Sequence, residues 1–589
     1  MKKLFLLKTE EMLQTLKHMN KLRNVSFGNT IVKSLLLSSM LMVLVTYVST
    51  VSSALIAGKI VGTNALCAIN LISPLSGYVS FIAGMIGIGS SLLYFRYTGA
   101  NNIDKANRVF SQGLVTAIVA GVLIFIIATV GKDSYLNGLD VSEEILYEAD
   151  RYWTYYRFVL AFMPLDYFLL ILLYPDTRRV IFANAVLYTV GISSTILLTY
   201  KLGTLGTSIG IAIGIALSDL VLSTHFISKK NAFKFVLRFS LSDCLDVMKL
   251  SFVNSSTYLD NSLLVAFINH YVISHFSDSM LPITSIMITI LDITVIFDSV
   301  GSAFAPVAEV YLGEENYKDE INLAKYSLSI AILFGIGVAL FFIIFAPIFP
   351  KFFEINDIEQ SKTLIKCIRL FAPSLLFFSA SYMMIYHYIA IRKIKIAIIF
   401  EWLRSFIIPT ICISLFGNIF GFVGVWGIFI LAHFLSTIGI LKVIRYFPGK
   451  EKSIWLLDEN KYISLSKSYI VNAESIINAR DDAERFLKQN NIDEKTTNLI
   501  MITIEDMTNL IMNHNINRKV IIQYTLSIRD DCVYLFERDN GNSYDLSNTD
   551  MDISNFNEYI FSCMLQSFDY KQYLILVDYN RNIFHYKLS

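Results

Sequence analysis

Seven carboxylates sit inside strongly apolar stretches of this sequence: Asp166, Asp219, Asp260, Asp292, Asp298, Glu309 and Glu401. At bilayer depth a carboxylate costs about 2.5–3.5 kcal/mol on insertion scales, so each requires a cavity, a partner or a function. The chemistry open to such a group is reversible binding of a proton or a cation. Asp260 and Asp292 fall nearest the centres of two neighbouring apolar segments and are the first candidates. Asp219 comes next, because an internal repeat aligns it with His433, and two titratable groups at equivalent places would flank one cavity. Plainer readings stand beside these. A buried carboxyl stays neutral, and Asp219 and His433 are then satisfied polar residues. Glu401 has Arg404 three residues on, the spacing of a local ion pair at the interface. Glu309 lies near a helix end that water reaches. It shares a helix face with Asp298 eleven residues earlier, unless Pro306 bends the helix.

A second constellation lies near the C-terminus. Glu505-Asp-Met-Thr-Asn509 falls on a predicted helix, where Glu505 and Asn509 share a face one turn apart. Asp539-Asn-Gly541 follows a predicted strand, and its glycine lets a tight turn close. A helix carrying Glu and Asn is more often a solvated face, so the order of the two motifs carries the reading. Six cysteines are scattered without a pair at metal spacing, which predicts reduced thiols, no disulfide framework and no zinc.

The elements that must hold these residues are set by hydropathy. The chain has 589 residues, 54% of them hydrophobic and only 16% charged, with a mean hydropathy of +0.54. A soluble protein of this size carries more charge. The apolar segments predict twelve transmembrane helices, near 30–57, 67–93, 109–130, 155–174, 180–200, 205–227, 250–272, 283–309, 327–349, 370–391, 395–416 and 422–445. An offset of about 214 residues divides them into two lobes of six, 28–228 and 229–446. It brings Gly203 onto Gly417, Gly210 onto Gly424 and Asn102 onto Asn316.

Bases gather in alternate loops: Arg96, Lys105 and Arg108; Arg178 and Arg179; Lys229, Lys230, Lys234 and Arg238; Arg392, Lys393 and Lys395. Those loops are cytoplasmic by the positive-inside rule, and both termini with them. The opposite segment near 131–152 carries Asp133, Asp140, Glu143, Glu144 and Glu148 and reads as an outer loop, as does a more basic one near 350–369. Residues 1–27 are basic and amphipathic, which suits an interfacial helix rather than a signal peptide.

After Phe447 the composition turns polar. Residues 452–589 predict a small α+β domain: a strand near 462–471, helices near 473–490 and 493–514, strands near 518–529 and 532–538, a helix at 555–567 and two final strands near 572–588.

Two resemblances attach to these residues. The six-plus-six arrangement, Gly89-Ser-Ser with Arg96-Tyr-Thr-Gly-Ala-Asn-Asn-Ile-Asp-Lys-Ala-Asn107, and Gly421-Phe-Val-Gly-Val-Trp426 resemble the multidrug and toxic compound extrusion (MATE) transporters. This resemblance covers about 28–446. It implies two lobes around a central cavity in the cell membrane, and export of a small amphipathic substrate driven by inward H⁺ or Na⁺. Many such transporters place a carboxylate in the first helix, but Val43-Leu-Val-Thr-Tyr-Val-Ser-Thr-Val51 has none, so coupling falls to Asp260 and Asp292.

The terminal motifs resemble the GHKL ATP-binding fold, especially its anti-sigma-factor serine-kinase branch. That resemblance implies Mg²⁺ at Asn509, Glu505 near a γ-phosphate, and adenine at Asp539 beside Gly541. The glycine-rich phosphate box is missing between Asn542 and Tyr570, so Mg-ATP binding is expected to be weak and no catalysis is expected. A cytoplasmic protein partner is expected for this domain, and no nucleic acid. Two other classes stay open: a membrane-anchored signalling protein with a transporter-like sensor, and a flippase for lipid-linked precursors.

Overall fold

The computed structural model describes residues 26–99, 102–173, 177–227, 233–236, 240–276, 278–355, 357–446, 453–459, 461–529, 531–542, 544, 561, 563–576 and 579–588. The amphipathic segment expected over 1–27 lies almost wholly outside these residues, as does the first part of the helix expected at 555–567, of which Phe561 and Cys563–Leu565 are described and helical. The chain forms two compact units. One gathers Met40–Ser299 and Ile330–Pro448; the other gathers the chain up to Ser39, Val300–Ser329 and Gly449–Ser589.

Helices follow one another along the first 446 residues. They are α1 Phe27–Ile60, α2 Thr63–Gly99, α3 Ile103–Val130, α4 Glu143–Leu172, α5 Thr177–Leu202, α6 Thr204–Ser223 and α7 Leu241–His275. Next come α8 Leu281–Gly313, α9 Tyr317–Phe345, α10 Ile358–Phe371, α11 Ser374–Ala390, α12 Ile394–Trp402 and α13 Ile408–Tyr446. Among the described residues, eight helical runs are long and apolar enough to cross a bilayer, or nine if α10 and α11, bent by 41°, form one crossing. One of the eight, Ile394–Ile444, has the length of two crossings. It breaks at Gly421, whose φ of +67° only glycine adopts at no cost. The chain is thus a multi-pass, helical membrane protein.

Two segments expected as outer loops are helical. The acidic stretch forms a short helix, Lys132–Asn137, and then the first turns of α4. Its acids point outward while Ile145, Ala149, Tyr152 and Trp153 are buried on one stripe. The basic stretch near 350–369 is mostly α10, capped by Asp357. Its buried stripe of Leu364, Cys367, Ile368 and Phe371 is what packing uses, and hydropathy averaged over the segment hides it.

The glycine-rich stretch 203–214 makes the α5–α6 hairpin. A Cβ at Gly210 would lie 2.4 Å from the Thr195 Cα, and one at Gly214 2.8 Å from the Gly191 Cα, so small residues let these backbones touch. The repeat holds at its first marker. Asn102 and Asn316 each donate their N–H to a tyrosine carbonyl, of Tyr97 and Tyr311, at 2.8 Å, and each caps the following helix. At the second marker it slips. Gly203 and Gly421 share φ near +66°, so the conformational equivalent of Gly203 is Gly421, one helical turn beyond Gly417. Asp219 and His433 are therefore not repeat partners. Asn107, the last residue of the Arg96–Asn107 motif, accepts from the Lys234 N–H at 2.9 Å and so pins the segment that joins the two halves.

The terminal domain is a five-stranded antiparallel sheet in the order β1-β2-β3-β5-β4: β1 Ile463–Ile470, β2 Ile521–Arg529, β3 Cys532–Asp539, β4 Tyr570–Leu576 and β5 Tyr579–Lys587. Helices α14 Ala473–Gln489 and α15 Glu494–His514 cover one face. Their apolar stripes meet Ile522, Tyr524, Leu526, Val533, Leu535 and Phe584 in a single core. The period of two sends the alternate residues Gln523, Thr525, Phe536, Arg538 and Arg581 to the opposite face.

Candidate functional site

Asp260 lies on α7 with no exposed surface. One carboxylate oxygen accepts the Asn261 N–H at 2.6 Å, and the Ser405 hydroxyl lies beside the carboxylate. Glu401 and Arg404 lie beside it as well. Glu401 and Arg404 form an ion pair at 2.5 Å, and the Ser405 hydroxyl donates to the same Glu401 oxygen at 2.9 Å. The pairing read from the sequence therefore forms, and it is buried: Arg404 is 1% exposed. Local backbone explains how. Leu403–Ile407 is a π-turn inserted between α12 and α13, and its wider coil carries Arg404 inward. The guanidinium lies 4.2 Å from the Tyr382 ring centre and 5.6 Å from that of Phe378.

Asp292 closes the first part of α8, where a 3₁₀ turn, Ile293–Phe297, begins. Asn261 bridges the two leading candidates, since its backbone donates to Asp260 and its side chain bonds Asp292. One residue past the 3₁₀ turn, Asp298 accepts the Tyr386 hydroxyl at 2.7 Å. Three carboxyls, Asp260, Asp292 and Glu401, thus share one region, and among the described residues Arg404 is the guanidinium beside them. A buried carboxylate is costly unless it is paired, protonated or bound to a cation.

The expected Asp219–His433 pair does not form. Asp219 on α6 is buried, and among the described residues no N–H donor reaches either of its oxygens. Its neighbour is Asp166 on α4, carboxyl to carboxyl. Two carboxyls can share a hydrogen bond only when a proton lies between them. The His433 ring packs 3.9 Å from that of Phe378, its nitrogens without partners.

In the terminal domain Asp539 is buried at the end of β3. One oxygen accepts the Gly541 N–H at 2.6 Å and the Asn580 amide at 3.1 Å. Glu505 on α15 faces Arg480 of α14 at 3.6 Å, and Asn509 is half-buried on the same helix face. The two motifs border one interface. The Thr508 hydroxyl lies 2.8 Å from that of Tyr524, which stands beside Glu537 and Asp539.

Glu537 was not singled out by the sequence. It alternates with Val533, Leu535 and Asp539 on the helix-covered face, and that period of two was the available signal. One of its oxygens accepts from Asn582 at 2.8 Å and the other has no donor. Burial pushes the Asp539 carboxyl up to about 6, against the hydrogen bonds from Gly541 and Asn580. Burial first, and then the Asp539 charge, hold Glu537 well above the usual carboxylate range. Raised acids favour the fold below their unfolded values, near pH 4, and that contribution is lost as pH climbs through the folded values. Glu537→Gln is therefore expected to stabilise the terminal domain at pH 7.5 by about 1–3 kcal/mol and to flatten its pH dependence between pH 5 and 7.5. Thermal unfolding at the two pH values measures this; a less stable variant would show that the charged form is needed.

Comparison with known proteins places this arrangement. A family model, MatE, matches residues 38–197 and 261–400, together just over half of the chain. No curated protein matches in sequence. An inward-facing structure of a multidrug resistance MATE family transporter of the MOP superfamily aligns with a TM-score of 0.60 at 19% identity, over 68% of this chain and 96% of that one. A MOP superfamily transporter from Pyrococcus furiosus, described as having a binding pocket of reversed polarity, aligns at 0.57 with 18% identity, over 71% and 96%. An outward-facing MATE transporter aligns at 0.56 with 18% identity, over 71% and 96%. Their identities are low enough to carry the fold alone, while the family model reaches the sequence itself: the chain belongs to the MatE family.

Proposed function

We propose that this protein is a cation-coupled exporter of small amphipathic molecules, with twelve crossings in two lobes and a GHKL-like regulatory domain at its C-terminal end. The observation that carries the reading is the excess of carboxyls around Arg404 in the second half. A coupling site must exist in two charge states, and three buried carboxyls beside one guanidinium among the described residues supply groups that can take up and release protons or cations. The Asp166–Asp219 contact adds a second such place in the first half. Carboxyls in contact share protons readily, which favours H⁺ as the coupling ion. Dye efflux from proteoliposomes under an imposed pH or Na⁺ gradient tests this. Flux with neither gradient, or movement of lipid alone, would replace the exporter with a sensor or a flippase.

The basic loops support cytoplasmic termini. A reporter fused after Ser589 is expected to be active only on the cytoplasmic side; activity outside would overturn the orientation.

Mg-ATP is expected to bind the terminal domain weakly. Asp539 already accepts two internal hydrogen bonds, and charged phosphates need donors to replace lost water. Titration calorimetry on the full chain measures it. Micromolar or tighter binding that disappears in Asp539→Asn would show that the missing phosphate box is compensated.

A further inference from the structure

The face of the terminal sheet turned away from α14 and α15 is not free. It carries a row of arginines, and an acidic corner of the transporter's own chain fills it. The corner is Gly313-Glu-Glu-Asn316, between α8 and α9. The Glu314 side chain is fully buried, with one oxygen at 2.7 Å from Arg581 and the other on Arg538, itself 1% exposed. Arg529 holds Glu315 at 2.8 Å and also donates to the Glu314 carbonyl. Gln523 accepts from the Tyr311 hydroxyl at 2.9 Å and donates to Asp319 at 2.9 Å. Three arginines thus answer two acids, Glu314 and Glu315, across more than two hundred residues of chain. A merely tethered domain has no reason to bury an ion pair there, since desolvating both charges costs several kcal/mol unless the geometry is good.

The same face holds a second segment. The Phe27 N–H at the start of α1 donates to Ser468 on β1 at 3.1 Å, and its ring meets Tyr579 on β5 edge-on at 5.3 Å. Gly28 lies directly on Tyr311, where a Cβ would be 2.7 Å from the hydroxyl. The sheet therefore grips the first turn of the first lobe and a helix corner of the second lobe together. It also selects its corner. The repeat equivalent in the first lobe, Gly99-Ala-Asn-Asn102, has no acid for the arginines.

We propose that the outer face of the terminal sheet is a clasp that fastens the start of α1 to the α8–α9 corner, so that release of the Glu314 ion pairs governs whether those two helix ends can part. Its effect on export rests on the transporter reading above; the clasp itself does not.

Hydrogen exchange on the full chain in nanodiscs tests it, comparing wild type with Glu314→Gln and Arg538→Gln. Exchange in the first two turns of α1 and across 311–323 is expected to rise at least about tenfold in both variants, while α15 keeps its protection. Lost protection in α15 would mean that Arg538→Gln has unfolded the domain. Glu314→Gln, which alters only the corner, then decides alone. Unchanged exchange at the start of α1 in Glu314→Gln overturns the proposal. Dye efflux from the same samples separates the two readings. A wild type that moves no dye ends the transporter reading and leaves the exchange result standing. A clasp that opens with no change in efflux ends the regulatory role alone.

Discussion

Asp260→Asn is expected to reduce gradient-driven transport by on the order of a hundredfold while leaving the protein folded. The group is fully buried, with one oxygen bound to the Asn261 N–H and the Ser405 hydroxyl beside it. An amide fills the same volume and carries no charge to desolvate, so stability should hold or rise. What it cannot do is alternate between charge states. A transporter in which ion binding biases two conformations loses that bias when the site is fixed in one state. A hundredfold loss corresponds to about 2.7 kcal/mol of differential binding between the two conformations. Efflux by the purified variant in proteoliposomes under a pH gradient, with monodispersity as the folding control, measures both arms. Full transport by Asp260→Asn would move the coupling role to Asp292, which the Asn261 side chain joins to the same cluster. Loss in both variants would assign it to the pair.

Much of this arrangement was legible in the sequence, for identifiable reasons. The terminal elements were found within a few residues, because β1, α14, α15 and β3 each carry an unbroken period and a clear boundary. Asn472 and Asp493, for example, cap the two helices. Asp260 stood out because a charge in an apolar run is rare. Pairings across the fold were not legible. The Asp219–His433 match failed because repeat arithmetic assumes one constant offset, whereas the positive-φ glycines show an extra turn in the second half. The depth of Arg404 follows from a π-turn, and no spacing rule for α-helices foresees that. No local pattern marks Glu314. Its burial depends on arginines that local patterns cannot connect to it, since Arg538 and Arg581 follow by 224 and 267 residues.

Arg404 shows how much the buried cluster depends on one cation. Arg404→Met is expected to destabilise the transporter by about 3–5 kcal/mol, the usual cost of stranding a buried charge by removing its partner. Glu401 would keep only the Ser405 hydroxyl of its present contacts, and Asp260 would lose the one positive charge beside it. The face of Tyr382, now 4.2 Å beneath the guanidinium, would lose a contact worth up to about 2 kcal/mol when desolvated. The mechanism predicts its own rescue. If the loss comes from the stranded carboxylate, Glu401→Gln/Arg404→Met should recover most of it, because an amide and a thioether of similar volume leave no net charge. Thermal unfolding of the detergent-solubilised single and double variants measures the cycle. Equal losses in both would locate the cost in packing against Tyr382 and Phe378. A single variant as stable as wild type would show that the Glu401–Arg404 pair contributes nothing net to stability.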